Sequence, residues 1–213
     1  AATRRHRVAF TAAYTATASV SVEPDAAAAG IAIEVVNDRA APMPLMYLGH
    51  ANFRPVEGGE LLCSAPYTPQ AMRVRRELPG HVAAPEGFAD FLDRLAEAPE
   101  LHHRIGPGVP ADPELVFEMD MRADPEGLAH AMQRHPDGTG DVISYPLAEA
   151  PVAIRWLSRT PEQAGLGLAL PATAGVEGRA AERAKGRVGT LAPGASWRLP
   201  MTVGRLTAAE TAA

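Results

Sequence analysis

The sequence predicts an all-β fold, a large antiparallel β-sandwich with one helical insertion near residues 86–98. Three observations support this prediction: several short segments alternate apolar and polar residues, turn residues separate them, and one segment has helical spacing. The chain has 213 residues, of which 46% are hydrophobic, so it can build a substantial core. The composition shows no internal boundary, and we expect a single sandwich domain over residues 1–213.

Alternation marks the strands. The predicted strands include residues 31–36, 115–121, 151–157, 165–170 and 197–203. The strand near residue 118 divides its side chains between two faces: Leu115, Phe117, Met119 and Met121 on one, and Val116, Glu118, Asp120 and Arg122 on the other. Such a division is typical of a strand with one buried face.

Two strands carry more specific expectations. In residues 165–170 the alternation places Leu166, Leu168 and Leu170 on one side. In residues 197–203 the side chains of Trp197, Leu199, Met201 and Val203 are expected to lie together. Pro200 interrupts this last strand, and a proline predicts a sheet edge or a bulge, because it has no N–H to donate to a neighbouring strand.

The helical insertion rests on four apolar residues. Phe88, Phe91, Leu92 and Leu95 follow helical spacing, with charged residues on the opposite side. The following stretch, residues 99–113, is rich in Pro and Gly and is predicted to be a long loop. It contains the adjacent histidines His102 and His103. Adjacent side chains rarely share one metal ion, so we expect these histidines to be solvated and no metal to be bound.

Composition excludes several classes of protein. The net charge is −5, and the short arginine-rich segments 3–7 and 72–76 lie near acidic residues, so we expect solvated faces there and no nucleic-acid partner. No apolar run reaches the length of about 18 residues that a membrane helix needs, so no membrane partner is expected. A single cysteine, Cys63, predicts a reducing compartment and a cytoplasmic location. It is expected to pack as a small apolar residue, the alternative being a nucleophile.

Known catalytic motifs are absent from the sequence. It has no GxGxxG, P-loop, HExxH, CxxC or GxSxG pattern. Nucleotide-dependent chemistry and serine-hydrolase chemistry therefore have no support from motifs.

The segment that ends at His50 is the most unusual in the chain. If residues 44–53 are extended, His50 and Asn52 project in one direction. An imidazole can exchange a proton near neutral pH, and an amide can both donate to and accept from a hydroxyl. This pair predicts a polyol ligand. The alternative is a histidine that is merely satisfied at a strand end.

Residues 35–62 resemble a segment of the aldose 1-epimerase (galactose mutarotase) superfamily, and are closest to its DUF4432 branch. The matching residues are Asn37, Pro42, Pro44, Leu45, Met46, His50, Asn52, Phe53 and Pro55. Weaker similarity in residues 120–133, 150–173 and 191–206 extends the resemblance over nearly the whole chain.

The resemblance implies a galactose mutarotase-like supersandwich that interconverts the anomers of a sugar. One group takes the proton of the C1 hydroxyl while another protonates the ring oxygen, and the ring opens without a cofactor. His50 matches the family's acid at the ring oxygen. The residues expected to bind the carbohydrate are Asn52, Phe53, Arg54, Glu118, Asp120 and Trp156. Two alternatives stay open: Trp156 shares a face with Val152 and Ile154 and can be core, and the face of Glu118 and Asp120 can be solvated.

Three departures from the family bear on activity. Leu170 stands where the family has its glutamate base, and Glu177 can replace that base only if its loop folds back. The family's N-terminal portion carries a histidine and an arginine, and we expect this chain to begin after it. Arg54 replaces a glycine and can bind an acidic sugar or block the site. The alternatives to an epimerase are a non-catalytic carbohydrate-binding β-sandwich (degenerate epimerase) and a structural interaction module. The oligomeric state stays open.

Overall fold

A computed structural model describes residues 1–24, 26–78, 80 and 82–212, in which the strands form two sheets and a ribbon, all antiparallel. From one edge to the other, the large sheet contains β1 (Ala2–Val8), β2 (Ala12–Ser21), β3 (Ala28–Asn37), β13 (Ser196–Leu206), β9 (Gly140–Pro146), β8 (Leu128–Arg134) and β5 (Glu60–Cys63). The small sheet contains, in the same sense, β11 (Ala164–Ala172), β10 (Val152–Arg159), β7 (Leu115–Met119) and β6 (Met72–Val74). The ribbon pairs β12 (Gly189–Leu191) with β4 (Met43–Leu45). The predicted all-β antiparallel fold is confirmed.

Helix α1 (Phe88–Glu97) lies within the predicted helical insertion. Its four apolar residues, Phe88, Phe91, Leu92 and Leu95, are all buried, so the helical spacing identified the packed face. A 3₁₀ helix, Pro99–His102, follows in the segment predicted to be a loop. The described residues also contain two short helices that the sequence did not predict, α2 (Arg179–Ala184) and α3 (Ala208–Ala212). Over all the residues that the structure describes, no helix has the length and apolar character that a membrane crossing requires.

A core of apolar side chains fills the space between the two sheets. Leu115, Phe117, Met119 and Met121 face it, as the alternation predicted. Leu199 and Met201 face it from the large sheet, and Trp197 and Val203 pack against it. The half-buried Cys63 also packs against this core, in agreement with its expected apolar role.

A bulge in β11 overturns the prediction that its three leucines share a face. Leu166 and Leu168 are in the core, whereas Leu170 packs in a second cluster on the outer face of the small sheet. Between the register pairs Ile154–Leu170 and Trp156–Gly167, β10 advances two residues and β11 advances three. The extra residue inverts the alternation, so Leu170 points away from the other two leucines.

The position of Pro200 also differs from the prediction. Strand β13 lies between β3 and β9, and its register with β3 has no shift at Pro200, so the expected sheet edge or bulge is wrong. The ladder with β9 covers only residues 202–206, whereas the ladder with β3 includes Pro200 opposite Ala32. Pro200 therefore lies ahead of the β9 ladder, where its missing N–H breaks no bond to that strand.

Asn37 ties the ribbon to the end of β3. Its side chain is fully buried, and its Nδ2 donates to the carbonyl oxygens of Ala41, Leu191 and Ala192 at 2.9, 3.0 and 3.1 Å. Its Oδ1 accepts the N–H of Arg39 at 3.0 Å. The asparagine thus holds the turn before β4 against the end of β12 and the residue that follows it.

His102 is not solvated as predicted. It is 1% exposed, stacks on Phe117 with ring centroids 4.1 Å apart, and contacts the carbonyl oxygen of Pro99 through Nδ1. Its Nε2 accepts from Nη1 of the fully buried Arg155 at 3.2 Å. Burial, reinforced by the charge of Arg155, lowers the pKa of His102 well below its usual value, so the ring is neutral. Among the described residues, no cluster of His, Cys, Asp and Glu side chains has metal-binding geometry.

Candidate functional site

Residues 48–53 extend the small sheet at its β11 edge. Leu48 pairs with Ala172, and Phe53 pairs with Leu166 through N–H···O bonds of 2.8 and 2.9 Å in both directions. The N–H of Gly49 donates to the carbonyl of Pro171 at 2.9 Å. Between these fixed points, residues 50–52 leave the sheet; we call them the arch. Both polar side chains of the arch are exposed.

The arch presents an oriented imidazole. His50 Nδ1 lies 2.7 Å from Asn52 Oδ1. An amide oxygen can only accept, so Nδ1 carries a proton and Nε2 is the ring nitrogen that this contact leaves free. The ring stands edge-on to the indole of Trp156, with centroids 5.2 Å apart and an angle of 71°. The predicted trio of His50, Asn52 and Trp156 therefore lies together.

Trp156 connects the arch to a carboxylate that the sequence did not predict. Its Nε1 donates to Glu114 Oε2 at 2.5 Å, and Glu114 Oε1 accepts from Arg75 at 3.1 Å. A Cβ on Gly165 would lie 2.6 Å from the indole Cζ3, so this glycine leaves the space that the ring occupies. The half-buried indole also packs with Val152 and its neighbours, so Trp156 combines the core role with an exposed edge beside the arch.

A cleft lies over the outer face of the small sheet, and Trp156 packs against one side of its apolar floor. Its floor is the second apolar cluster: Val116, Val152, Ile154, Leu170 and Ala172. Two cavities of about 360 Å³ each lie between this face and residues 173–187, and both are lined by Glu118 and Arg187. One is also lined by Asp120 and the other by Glu177. His50 and Asn52 line neither cavity and stand beyond the Trp156 end of the floor.

Arginines hold both predicted carboxylates of the cleft. Arg73 bonds Glu118 at 2.9 Å and Asp120 at 2.7 Å, and Arg187 bonds Glu118 at 2.8 Å. Burial raises the pKa of Glu118, but the hydrogen bonds from Arg187 and Arg73 outweigh it, so this pKa lies below its usual value. The bond from Arg73 likewise lowers the pKa of Asp120. Both carboxylates are therefore ionised and are held by arginines.

The segment containing Arg73 and Arg75 was expected to be a solvated face, and this is wrong for these two residues. Both are half-buried and form ion pairs with carboxylates of neighbouring elements. The signal was present in the sequence, because the buried Met72 and Val74 alternate with them. Arg187, by contrast, lies in a loop, and no local sequence pattern predicts its contact with Glu118.

The loop that carries Glu177 does fold back over the small sheet. Glu182 anchors it: this fully buried side chain accepts the N–H of Gly175 at 2.8 Å and bonds Lys185 Nζ at 2.9 Å. Leu170, which the resemblance to aldose 1-epimerases sets at the position of a catalytic base, packs in the apolar floor of the cleft. Glu177 lines the cavity above that floor, so a carboxylate reaches this face from a different position.

The anchor predicts a pH-dependent stability. Burial raises the pKa of Glu182, but the bonds from Lys185 and Gly175 outweigh it and lower the pKa. The carboxylate therefore stabilises the fold at pH values above its pKa in the unfolded chain, about 4.3. This contribution is lost as the pH falls through the lower pKa that Glu182 has in the folded protein. We expect Glu182→Gln to cost about 1 to 2 kcal/mol at pH 7 and less in acid. Urea unfolding from pH 7 to pH 3 measures the difference. Glu177→Gln is the control, because Glu177 lies on the same loop but is exposed. A difference in the free energy of unfolding between Glu182→Gln and the unmodified protein that does not change with pH contradicts the prediction.

The other two predicted binding residues lie elsewhere. The Phe53 side chain packs against the core between the sheets and, with Arg54, lines a cavity outside the cleft, whereas Trp156 is the aromatic ring that contacts His50. The exposed Arg54 lines a different cavity of about 720 Å³ together with His135 and Asp141. That cavity shares no lining residue with the two cavities of the cleft.

The fold is that of galactose mutarotase-like proteins. A protein from Klebsiella pneumoniae subsp. pneumoniae, provisionally described as an aldose 1-epimerase, aligns over 99% of this chain and 51% of its own, with a TM-score of 0.74 and 18% identity. A protein from Escherichia coli K12 with the same provisional description aligns over 95% and 63%, with a TM-score of 0.61 and 15% identity. A galactose mutarotase-like protein from Lactobacillus casei aligns over 95% and 68%, with a TM-score of 0.59 and 16% identity. The chain thus spans about half the length of the first of these proteins.

Sequence comparison identifies the family. No curated protein sequence matches the chain. The sequence pattern of a family described as a domain of unknown function, DUF4432, matches residues 81–204. This match covers more than half of the chain, including α1, most of the small sheet and the loop over the cleft. The chain therefore belongs to the DUF4432 family.

Proposed function

We propose that the chain binds a free sugar or sugar derivative beside the arch and interconverts its anomers by acid/base ring opening. One observation carries the proposal: an imidazole and a carboxylate, His50 and Glu114, contact the same indole of Trp156. Aromatic rings bind the apolar face of a pyranose. The reaction needs one proton donor, at the ring oxygen, and one proton acceptor, at the C1 hydroxyl. The descriptions of the structural neighbours as epimerases support the same chemistry.

The proposed steps use only side chains of this site. Doubly protonated His50 gives its Nε2 proton to the ring oxygen, while the Glu114 carboxylate takes the proton of the C1 hydroxyl. The C1–O5 bond breaks, the C1–C2 bond rotates, and the reverse transfers close the ring on the other face of C1. Asn52 holds the protonated Nδ1 of His50 and offers its Nδ2 to a sugar hydroxyl. Protons return to their starting groups, so no co-reactant is consumed.

The proposal is tested with the unmodified protein and a panel of sugars. We expect exchange between the α and β anomers, followed by two-dimensional NMR exchange spectroscopy, to run faster than the uncatalysed background for at least one of glucose, galactose and glucuronate. Calorimetry with the same panel measures binding. A protein that neither binds nor accelerates exchange in the panel contradicts both parts of the proposal.

A second candidate function is non-catalytic carbohydrate binding. It is favoured by Leu170, which places an apolar side chain where the family has its base, and by the arginine pairs that occupy Glu118 and Asp120. Binding by calorimetry without anomer exchange selects this candidate. The absence of both binding and anomer exchange selects a structural interaction module.

Trp156→Ala is expected to weaken sugar binding about tenfold, which corresponds to roughly 1.4 kcal/mol of lost stacking. The measurement is calorimetric titration of the best sugar of the panel. Trp197→Phe is the matched control, because Trp197 packs against the core and contacts Tyr47 at 4.9 Å on another part of the molecule. Equal affinities for Trp156→Ala and the unmodified protein exclude the indole as the binding surface.

A further inference from the structure

A row of small polar residues crosses the outer face of the large sheet, on the opposite side of the sandwich from the cleft. Register pairs place His130 beside Ser144, Ser144 beside Thr202, Thr202 beside Gly30 and Gly30 beside Ser21. Gly30 has no side chain, and a Cβ there would lie 2.5 Å from Ser21 Oγ. A shallow cavity of about 300 Å³ opens on this row, and its polar lining includes Ser19, Ser21, Ser144, Arg198 and Thr202.

Ser144 begins a chain of hydrogen bonds that ends at a fixed carboxylate. Ser144 Oγ lies 2.8 Å from His130 Nδ1, and His130 Nε2 lies 2.8 Å from Asp124 Oδ2. The other oxygen of Asp124 accepts the N–H groups of Glu126 and Leu128 at 2.8 and 2.9 Å. The carboxylate is therefore oriented by the backbone of the turn before β8.

The tautomer of His130 follows from these contacts. The N–H of Leu128 and the imidazole of His130 lower the pKa of Asp124, so Asp124 is ionised and can only accept. His130 Nε2 must then carry the proton. In the neutral ring, Nδ1 then has the lone pair that can accept the hydroxyl proton of Ser144. This is the protonation pattern that a base needs in order to activate a serine.

We propose that Ser144 is a nucleophile that takes an acyl group from a small polar ester, with His130 as its base and Asp124 as the positioning residue. Ser144 Oγ adds to the ester carbonyl while its proton moves to His130 Nδ1. The bond to the alcohol oxygen breaks, and this oxygen leaves with that proton. Water then adds to the acyl group, gives a proton to His130, and releases the carboxylic acid as Ser144 regains its hydrogen. His130 is 41% exposed, so water reaches the base.

The cavity limits the class of ester. A volume of about 300 Å³ admits a short acyl chain with a small alcohol. Its hydroxyl groups and Arg198 favour a polar or anionic substrate over a lipid. Thr202, directly opposite Ser144 in the register, is placed to donate to the oxyanion.

The test is covalent labelling of the whole chain with a small fluorophosphonate probe, read by intact mass and by peptide mapping. We expect one equivalent of label on Ser144 in the unmodified protein and none on this site in Ser144→Ala. Ser196→Ala is the matched control: Ser196 is an exposed serine of the same sheet that does not line this cavity, and its replacement should leave labelling unchanged. Asp124→Asn should slow labelling at least tenfold with the same thermal midpoint.

Ester turnover gives the second measurement. Hydrolysis of p-nitrophenyl acetate should show a burst of one equivalent that Ser144→Ala removes. Ser144→Ala keeps His130, so hydrolysis that persists unchanged in this variant arises from the imidazole alone and overturns the proposal. A folded unmodified protein that takes no label on Ser144 overturns it as well. Neither result bears on sugar binding, since the two sites occupy opposite faces of the sandwich.

Discussion

Replacing His50 with alanine is expected to slow the anomer exchange by about two to four orders of magnitude, to the uncatalysed background. His50 is the only proton donor that the proposed steps provide for the ring oxygen, and Asn52 fixes its orientation through a 2.7 Å bond. The side chain is exposed, so its removal leaves no buried group without a partner. The rate is measured by NMR exchange at equilibrium with the best sugar of the panel.

Two variants make the result specific. His6→Ala removes a histidine of β1 in the large sheet, whose ring centroid lies 4.8 Å from that of Tyr14, and it should keep the full rate. Glu114→Gln keeps an oxygen that accepts from the indole of Trp156 but cannot take up a proton, so binding should persist while exchange slows. If His50→Ala exchanges anomers as fast as the unmodified protein, the enzymatic proposal is wrong and binding alone can stand.

The second large effect is expected on stability. Asn37→Ala removes a fully buried side chain that donates to the carbonyl oxygens of Ala41, Leu191 and Ala192, and each lost hydrogen bond costs about 1 kcal/mol. We expect a total loss of about 3 kcal/mol, a large share of the stability of a domain this size. Urea unfolding followed by circular dichroism measures it.

Asn52→Ala is the control for this prediction, because it removes a nearby asparagine whose side chain is exposed. Its effect on stability should stay within about 0.5 kcal/mol. An Asn37→Ala protein that unfolds within about 1 kcal/mol of the unmodified one would show that water or a rearranged turn replaces the lost bonds. The ribbon would then be held mainly by the packing of Met43 and Leu45.

Local pattern was sufficient for most of the fold and failed where pairing is not local. The faces of β7 and the buried side of α1 follow directly from spacing, because each depends only on neighbours within one element. The bulge in β11 has no such signal: GLGLAL reads as an uninterrupted strand, and the extra residue exists only relative to β10. His102 was misjudged for the same reason, since its burial depends on Arg155 and Phe117, both distant in sequence.

The residues of the candidate site likewise fall into those that a local sequence pattern identifies and those that depend on strand pairing. The segment around His50 was recognisable because its residues are contiguous, and Trp156 because its strand alternates. Glu114 could not be assigned, since its bond to Trp156 requires the register that sets Val116 opposite Trp156. Ser144 and His130 become neighbours only through the pairing of β8 with β9, which no serine-hydrolase motif describes.

The arch is fastened at both ends by main-chain bonds, to Pro171 before it and to Leu166 after it, while the side chains of His50 and Asn52 contribute nothing to either fastening. The side chains at positions 50 and 52 can therefore be substituted without changing the backbone of the arch. Other pairs of residues can be installed there to change which molecules are recognised, and the scaffold beneath keeps its shape because its integrity never depended on the originals.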